Sequence, residues 1–223
     1  MKFLSLSCGL LDSLHLKDKK LLELMQNILN ALSGKNLILK GGNALILFYG
    51  LDRFSRDLDF DCFYNINISS VLKILQRFGE PNLKKDTNLG KRVILHPYDI
   101  NVPFKLDFSL RKYRFIVQPI KIVNSLYVYD INDLLLQKIS AFRNRTVARD
   151  LYDIGFIVDK YYHKLLPEVK RALLNVLESE AKIYDLISIY LNVFDQTEGF
   201  GEEDLLKSVE RLIVFYRKEI QGG

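Results

Sequence analysis

Residues 37–61, LILKGGNALILFYGLDRFSRDLDFD, constrain the fold of this chain more than any other stretch. A short apolar run leads into Gly41-Gly42, an apolar helical turn follows, and then Leu58 and Phe60 alternate with Asp57, Asp59 and Asp61. Period-two alternation marks a strand with one face in a core and the other facing polar surroundings. Aspartate is depleted in strands. Carboxylates spaced roughly 6.6 Å apart along one strand face repel each other unless a cation lies between them. The order strand, glycine pair, helix also sets backbone N–H groups and a helix start where a phosphate can approach without meeting a side chain. The segment therefore calls for a sheet that carries a carboxylate face beside a phosphate-cradling turn.

Oxygen ligands on a rigid strand suit Mg²⁺ or Mn²⁺, which also grip substrate phosphates. Two metals and an attacking hydroxyl need a third carboxylate. Lys105-Leu106-Asp107-Phe108-Ser109 has the same alternation, and Asp107 completes a triad if that strand pairs beside Asp57–Asp61. Asp61 shares the parity of Asp57 and Asp59 and ranks behind Asp107 as third ligand, because it lies nearer the strand's end. Within the turn, Asn43 is a candidate donor to phosphate. Lys40 is a phosphate contact or an edge charge, and Ser55 a phosphate contact or a strand cap.

Around this centre the pattern predicts an α+β fold: a mixed sheet flanked by helices, followed by a helical bundle. Asp18 is positioned to cap an amphipathic helix over 19–32, and Leu37–Leu39 reads as a buried strand. A helix runs from Asn43 to Tyr49 and stops at Gly50; another runs from Ser69 to Phe78, capped by Ser69 or Ser70. Strand-like pieces follow at 93–95, 102–110, 113–117 and 120–123. From Asp130 the periodicity is helical, over 131–143, 147–159, 168–181, 184–194 and 203–218, with a loop at 195–201. The change of pattern sets a core domain at 1–125 and a helical domain at 126–223. Tyr127 and Tyr129 read as packing residues.

Net charge is +5, and all of the excess lies in the first half: residues 1–111 hold 16 Lys+Arg against 11 Asp+Glu, and residues 112–223 hold 16 against 16. A polyanion such as a nucleotide or RNA suits that half. Two cysteines, Cys8 and Cys62, without a CxxC pair point to a reducing, cytoplasmic setting rather than a disulfide framework or thiolate zinc site. The N-terminal apolar run is too brief for a signal peptide, and no run approaches the roughly 20 apolar residues of a membrane span. His15, His96 and His163 lack zinc-ligand spacing.

A second block, Asp133-Leu-Leu-Leu-Gln-Lys138 through Arg143, Arg145, Arg149-Asp150-Leu-Tyr-Asp153, places cations suited to a triphosphate on helices. Arg145 and Arg149 lie one turn apart, and Asp150 and Asp153 share a face. Taken with Lys-Gly-Gly-x-Ala-Leu and Arg-Phe-Ser-x-Asp-Leu-Asp-Phe-Asp, this block resembles the AbiEii-type nucleotidyltransferases. Those proteins are the toxins of type IV abortive-infection toxin–antitoxin systems, within the DNA polymerase β-like superfamily. The resemblance spans roughly residues 37–155; Asn43 stands where the family more often has Thr or Ser.

The resemblance implies a metal-dependent transfer of NMP from an NTP to an acceptor hydroxyl, with Mg²⁺ or Mn²⁺ on Asp57, Asp59 and Asp107. Gly41, Gly42, Asn43 and Ser55 would hold the triphosphate, assisted by Lys138 and Arg149, while Asp150 and Asp153 orient these cations or bind the base or acceptor. It further implies tRNA as acceptor and a cognate antitoxin as partner. A nucleotide-binding regulatory module and a protein-modifying (AMPylating) transferase are the competing readings, separated by which acceptor becomes labelled.

Overall fold

The computed structural model describes residues 16–112, 115–123, 125–192 and 200–221. The N-terminal run with Cys8, most of the 195–201 loop and the start of the 113–117 piece lie outside them. The chain divides after Asp130 into two compact units.

The first unit opens with helix α1, Leu16–Ala31. Asp18 lies inside this helix, so it is not the cap of a helix that starts at Lys19. The apolar stripe Leu21, Leu22, Met25, Ile28, Leu29 and Leu32 is fully buried, as its i, i+3, i+4 spacing requires. Strand β1 (Leu37–Lys40) runs directly into helix α2 (Gly41–Ala44), which continues as a π-helical turn, Leu45–Tyr49. The glycines thus form the first turn of the helix rather than a loop before it. Gly50, at φ 72°, ends it in the left-handed region.

Strand β2 (Asp57–Cys62) is followed by α3 (Ile68–Leu75), which is capped by Asn67 and not by Ser69 or Ser70: Asn67 Oδ1 accepts from the Ser70 amide at 3.1 Å. The remaining strands are β3 (Gly79–Thr87), β4 (Gly90–Pro97), β5 (Phe104–Ser109), β6 (Ile120–Val123) and β7 (Leu126–Val128).

These strands form one mixed sheet, ordered β3-β4-β5-β2-β1-β7-β6. β2 pairs antiparallel with β1 and parallel with β5, and β1 pairs parallel with β7. At the centre Leu58, Phe60, Leu106 and Phe108 are buried on one face, and the Phe60 and Phe108 rings stack at 5.2 Å. Burying such side chains contributes about 1.5–3 kcal/mol each, which fixes the aspartates of β2 and β5 on the opposite face. β3 and β7 have no counterpart in the sequence pattern, and no strand forms among the described residues of 113–117. β3 is an edge strand carrying Gly79, Pro81 and a register shift between Leu83 and Lys85, features an edge tolerates and a central strand does not.

The second unit is helical: α4 (Ile131–Asn144), α5 (Ala148–Tyr161) with a 3₁₀ turn at Tyr162–Lys164, α6 (Pro167–Leu177), α7 (Glu180–Leu191) and α8 (Glu202–Gln221). The break expected between helices at 168–181 and 184–194 falls earlier, at residues 178–179. Glu178 adopts φ 58° and ends α6, and the Ser179 side chain caps α7 by accepting from the Lys182 amide. Helices α5 and α8 bury Leu151, Ile154 and Ile157 with Leu205, Val209 and Leu212. Gly155 permits their close approach, since a Cβ there would lie 2.8 Å from Ser208 Cβ.

Candidate active site

The parallel pairing of β2 with β5 sets Asp57 opposite Lys105 and Asp59 opposite Asp107. Asp57, Asp59 and Asp107 therefore lie on one polar face, on adjacent strands, as the alternation requires. Against them stands the glycine turn. Gly41 has φ 72°, and a Cβ on it would meet Asp59 Oδ2 at 2.8 Å; a Cβ on Gly42 would meet Ser55 Oγ at 2.9 Å. Both glycines are needed to bring the first turn of α2 against the carboxylates and against Ser55.

Asn43 takes a different place from the phosphate donor expected of it. It is fully buried, and its Nδ2 donates to the backbone carbonyls of Ser55 (3.1 Å) and Asp57 (2.6 Å). Both amide hydrogens are spent on the chain, so Asn43 positions the start of β2 and has none left for a ligand. Its Oδ1 is buried without a hydrogen-bond partner among the described residues. Asp61, the alternative third ligand, is also removed. It is 4% exposed, Lys40 Nζ lies 2.6 Å from Oδ1, and Tyr129 Oη donates to Oδ2 at 2.8 Å. Lys40 is accordingly an ion-pair partner, and Tyr129 is the packing residue expected, fully buried.

Three cations went unassigned in the sequence. Lys105 Nζ lies 2.9 Å from Asp57 Oδ2 and 3.4 Å from Asp107 Oδ2. Arg92, on β4 opposite Asp107, grips that carboxylate through Nε (2.7 Å) and Nη2 (3.0 Å). Arg53 is 3% exposed beside Gly42 and donates to the Phe54 carbonyl at 3.0 Å. Lys105 was legible, since it shares the parity of Asp107. Arg92 was not, because only the β4–β5 register brings it there.

The charge balance separates Asp59 from Asp107. Burial raises the pKa of Asp59, and Asp57 and Asp107 add to the rise; Lys105 and Lys40 oppose it without cancelling it. For Asp107 burial acts upward too, but the Arg92 hydrogen bonds and the charges of Lys105 and Arg92 outweigh it and hold the carboxyl below its usual range. Burial lowers the pKa of Lys105, but Asp57, Asp59 and Asp107 together outweigh it, so its pKa is raised. The nearby Cys62 thiol is pushed up to about 12 by burial and by Asp61, so it is no nucleophile at neutral pH.

In the second unit, Lys138, Asp150 and Asp153 come together. Lys138 Nζ lies 2.6 Å from Asp153 Oδ2 and 3.3 Å from Asp150 Oδ1, and both carboxylates are fully buried. Arg145 closes on Asp150 through Nε (2.7 Å) and Nη2 (3.1 Å). Arg149 is half-buried and enters no ion pair of this cluster.

A mixed sheet with a glycine turn set against in-register aspartates defines a nucleotidyltransferase fold. Similar architecture occurs in the crystal structure of JHP933 from Helicobacter pylori, with TM-score 0.72 and 26% identity over 94% of this chain and 96% of that one. A candidate nucleotidyltransferase from Helicobacter pylori matches at TM-score 0.75 and 25% identity, over 94% and 99% of the two chains. The family described as nucleotidyl transferase AbiEii toxin, type IV TA system, matches residues 23–213, and the chain belongs to it. No curated protein matches the chain. Among the described residues, no helix is long and apolar enough to cross a membrane.

Proposed function

We propose that the first unit transfers a nucleoside monophosphate from an NTP to an acceptor hydroxyl. The hydroxyl oxygen bonds to the α-phosphorus, the α–β phosphoanhydride bond breaks, and pyrophosphate leaves. The observation that carries this reading is the pairing of Asp59 with Asp107 across β2 and β5, beside a glycine turn in which any Cβ would collide with Asp59 or Ser55.

An oxygen-only donor set beside the glycine turn fits Mg²⁺ or Mn²⁺, with Asp57, Asp59 and Asp107 as ligands. Among the described residues no three His, Cys, Asp or Glu side chains converge on one point in the present arrangement. Lys105 and Arg92 occupy the carboxylate oxygens instead. When bound, the metal supplies Lewis-acid stabilisation of the phosphoryl charge.

The chain's own residues do the rest. Gly41 and Gly42 let backbone N–H groups approach the triphosphate, and Ser55 Oγ adds a hydroxyl donor. Asn43 holds the carbonyls of Ser55 and Asp57 and so fixes the first carboxylate. Asp107 accepts, or orients the group that accepts, the hydroxyl proton, once Arg92 and Lys105 turn from its oxygens to the phosphates. Stabilisation of this kind is electrostatic and preorganised. Lys138 and Arg149 are proposed as phosphate-binding cations, with Asp150 and Asp153 orienting Lys138. The family supports a toxin neutralised by a cognate antitoxin, and we take RNA, specifically tRNA, as the acceptor.

The test is transfer of label from each α-³²P-NTP to total RNA and to total protein, with Mg²⁺ or Mn²⁺, beside Asp57→Ala/Asp59→Ala. Labelled RNA that disappears in the double variant is the expected result. Labelled protein would make the chain an AMPylating-type enzyme, and NTP binding without label in either pool would make it a nucleotide-binding regulator.

A further inference from the structure

The polar face that carries the aspartates runs on into a hollow. A cavity of about 610 Å³ lies where β2 and β5 end, with Asp61 at its floor and Phe63, Tyr64, Lys91, Arg111 and Lys112 on its walls. Asp61 follows Asp59 on the same strand face and faces Ser109 across the β2–β5 pair, so the hollow extends the site along the sheet. The volume is within the roughly 300–1,000 Å³ typical of ligand sites.

Its electrostatics are positive. Lys40 offsets the charge of Asp61, which also accepts from Tyr129 Oη, and Asp86 pairs with Lys91. Arg111 and Lys112 are exposed and form no ion pair with a described carboxylate. Tyr64 is 74% exposed and Phe63 38%. The Phe63 ring is braced edge-on by Tyr127 at 5.2 Å, which fixes its orientation while leaving part of it open. Exposed rings set among unpaired cations match single-stranded nucleic acid, whose bases stack on rings and whose phosphates bind cations. A duplex keeps its base faces covered and cannot use the rings.

We propose that this hollow is the groove for the acceptor strand: it seats the nucleotides next to the reacting end, with Tyr64 and Phe63 stacking bases and Arg111 and Lys112 holding phosphates. The proposal rests on the RNA-acceptor reading above and adds a place for that acceptor.

The experiment is fluorescence anisotropy with a 5′-fluorescein single-stranded RNA of about a dozen nucleotides, titrated in a NaCl series. Wild type, Arg111→Ala/Lys112→Ala and Tyr64→Ala are compared, and each is also made in the Asp57→Ala/Asp59→Ala background. All three groove positions are exposed, so circular dichroism and melting curves should match wild type. The double cation variant is expected to flatten the slope of log affinity against log salt by about 0.7 per cation removed. Tyr64→Ala should weaken binding about tenfold with the slope unchanged, because stacking releases no counterions. The Asp57→Ala/Asp59→Ala background should leave both effects intact, so the groove is read without any transfer taking place. Absent binding by wild type, an unchanged slope in the cation variant, unchanged affinity in Tyr64→Ala, or equal competition by duplex RNA would each overturn the proposal. A failure of label transfer alone would leave it standing.

Discussion

Asn43 shows how a residue can belong to a site without touching a ligand. Its amide is the clasp that holds two carbonyls of the segment leading into Asp57. Asn43→Ala removes both hydrogen bonds to these part-buried carbonyls and should cost about 1–3 kcal/mol of stability, read by urea denaturation, with transfer falling alongside. Asn43→Asp should be worse, since a carboxylate would then face two carbonyl oxygens. Asp59 lends itself to a pH test. Its folded-state pKa is raised, so the folded chain holds the proton more tightly than the unfolded one. Stability therefore falls as pH rises through that window, and the cost persists above it. Asp59→Asn should raise the melting temperature of metal-free protein at neutral pH, with the gain shrinking as pH falls and wild type becomes protonated, and should abolish transfer. Asp107 has the opposite sign: its stabilisation is present above the ordinary carboxylate value and is lost as pH falls through the lowered one. Lys138 is the simpler case. Lys138→Ala leaves Asp150 with Arg145 as its remaining ion-pair partner and takes the 2.6 Å partner from Asp153. The expected loss is about 3–5 kcal/mol by chemical denaturation.

The junction of β1 and α2 is where local geometry and site are the same thing. Gly41→Ala meets both a left-handed backbone and the Asp59 carboxylate, so it should reduce NTP binding, followed by calorimetry, and lower the melting temperature. The α5–α8 contact makes a contrasting prediction. Gly155→Ala drives a Cβ into Ser208 and should destabilise by about 1–3 kcal/mol, while leaving the catalytic face of the first unit untouched. The central strands were legible in the sequence because their alternation is enforced by a face that must be apolar and a face that must not. β2 and β5 were read with the correct faces for that reason. β3 was illegible because an edge strand has only one paired side and tolerates Gly, Pro and lysines. β7, three residues long, is too short for a period to show. The roles of Asn43 and Arg92 were illegible for a different reason. Both depend on which backbone or strand lies opposite, and composition does not encode that partner.

Across the whole chain, charge is unevenly shared. Residues 1–130 hold 19 Lys+Arg against 12 Asp+Glu, and residues 131–223 hold 13 against 15. The unit bearing the aspartate face is thus strongly basic overall, while its centre holds a knot of acids. For the polyanionic substrate proposed above, the outer field favours encounter and the carboxylates act only at close range. Encounter should accordingly be salt-sensitive. Raising NaCl from about 50 to 200 mM should raise the KM for substrate severalfold in steady-state assays, and change kcat much less. The two units also bury separate cores, one around the stacked Phe60 and Phe108 of β2 and β5 and the other between α5 and α8. Lesions such as Gly155→Ala should therefore be felt within the second unit's own unfolding.

The parallel pair β2–β5 is joined by a crossover, residues 63–103, far too long for any turn to dictate how the two strands align. Alignment must come from the side chains themselves. A newly made chain that set β2 one step out of phase would drive Asp57, Asp59 and Asp61 into the layer where Phe108 and Leu106 are packed, while Leu58 and Phe60 emptied into water. Such a mispaired state has no stable interior. The acids proposed to hold phosphate chemistry in the finished protein thus act earlier as proofreaders of its assembly, rejecting each one-step misalignment of the sheet because it would bury them without a partner.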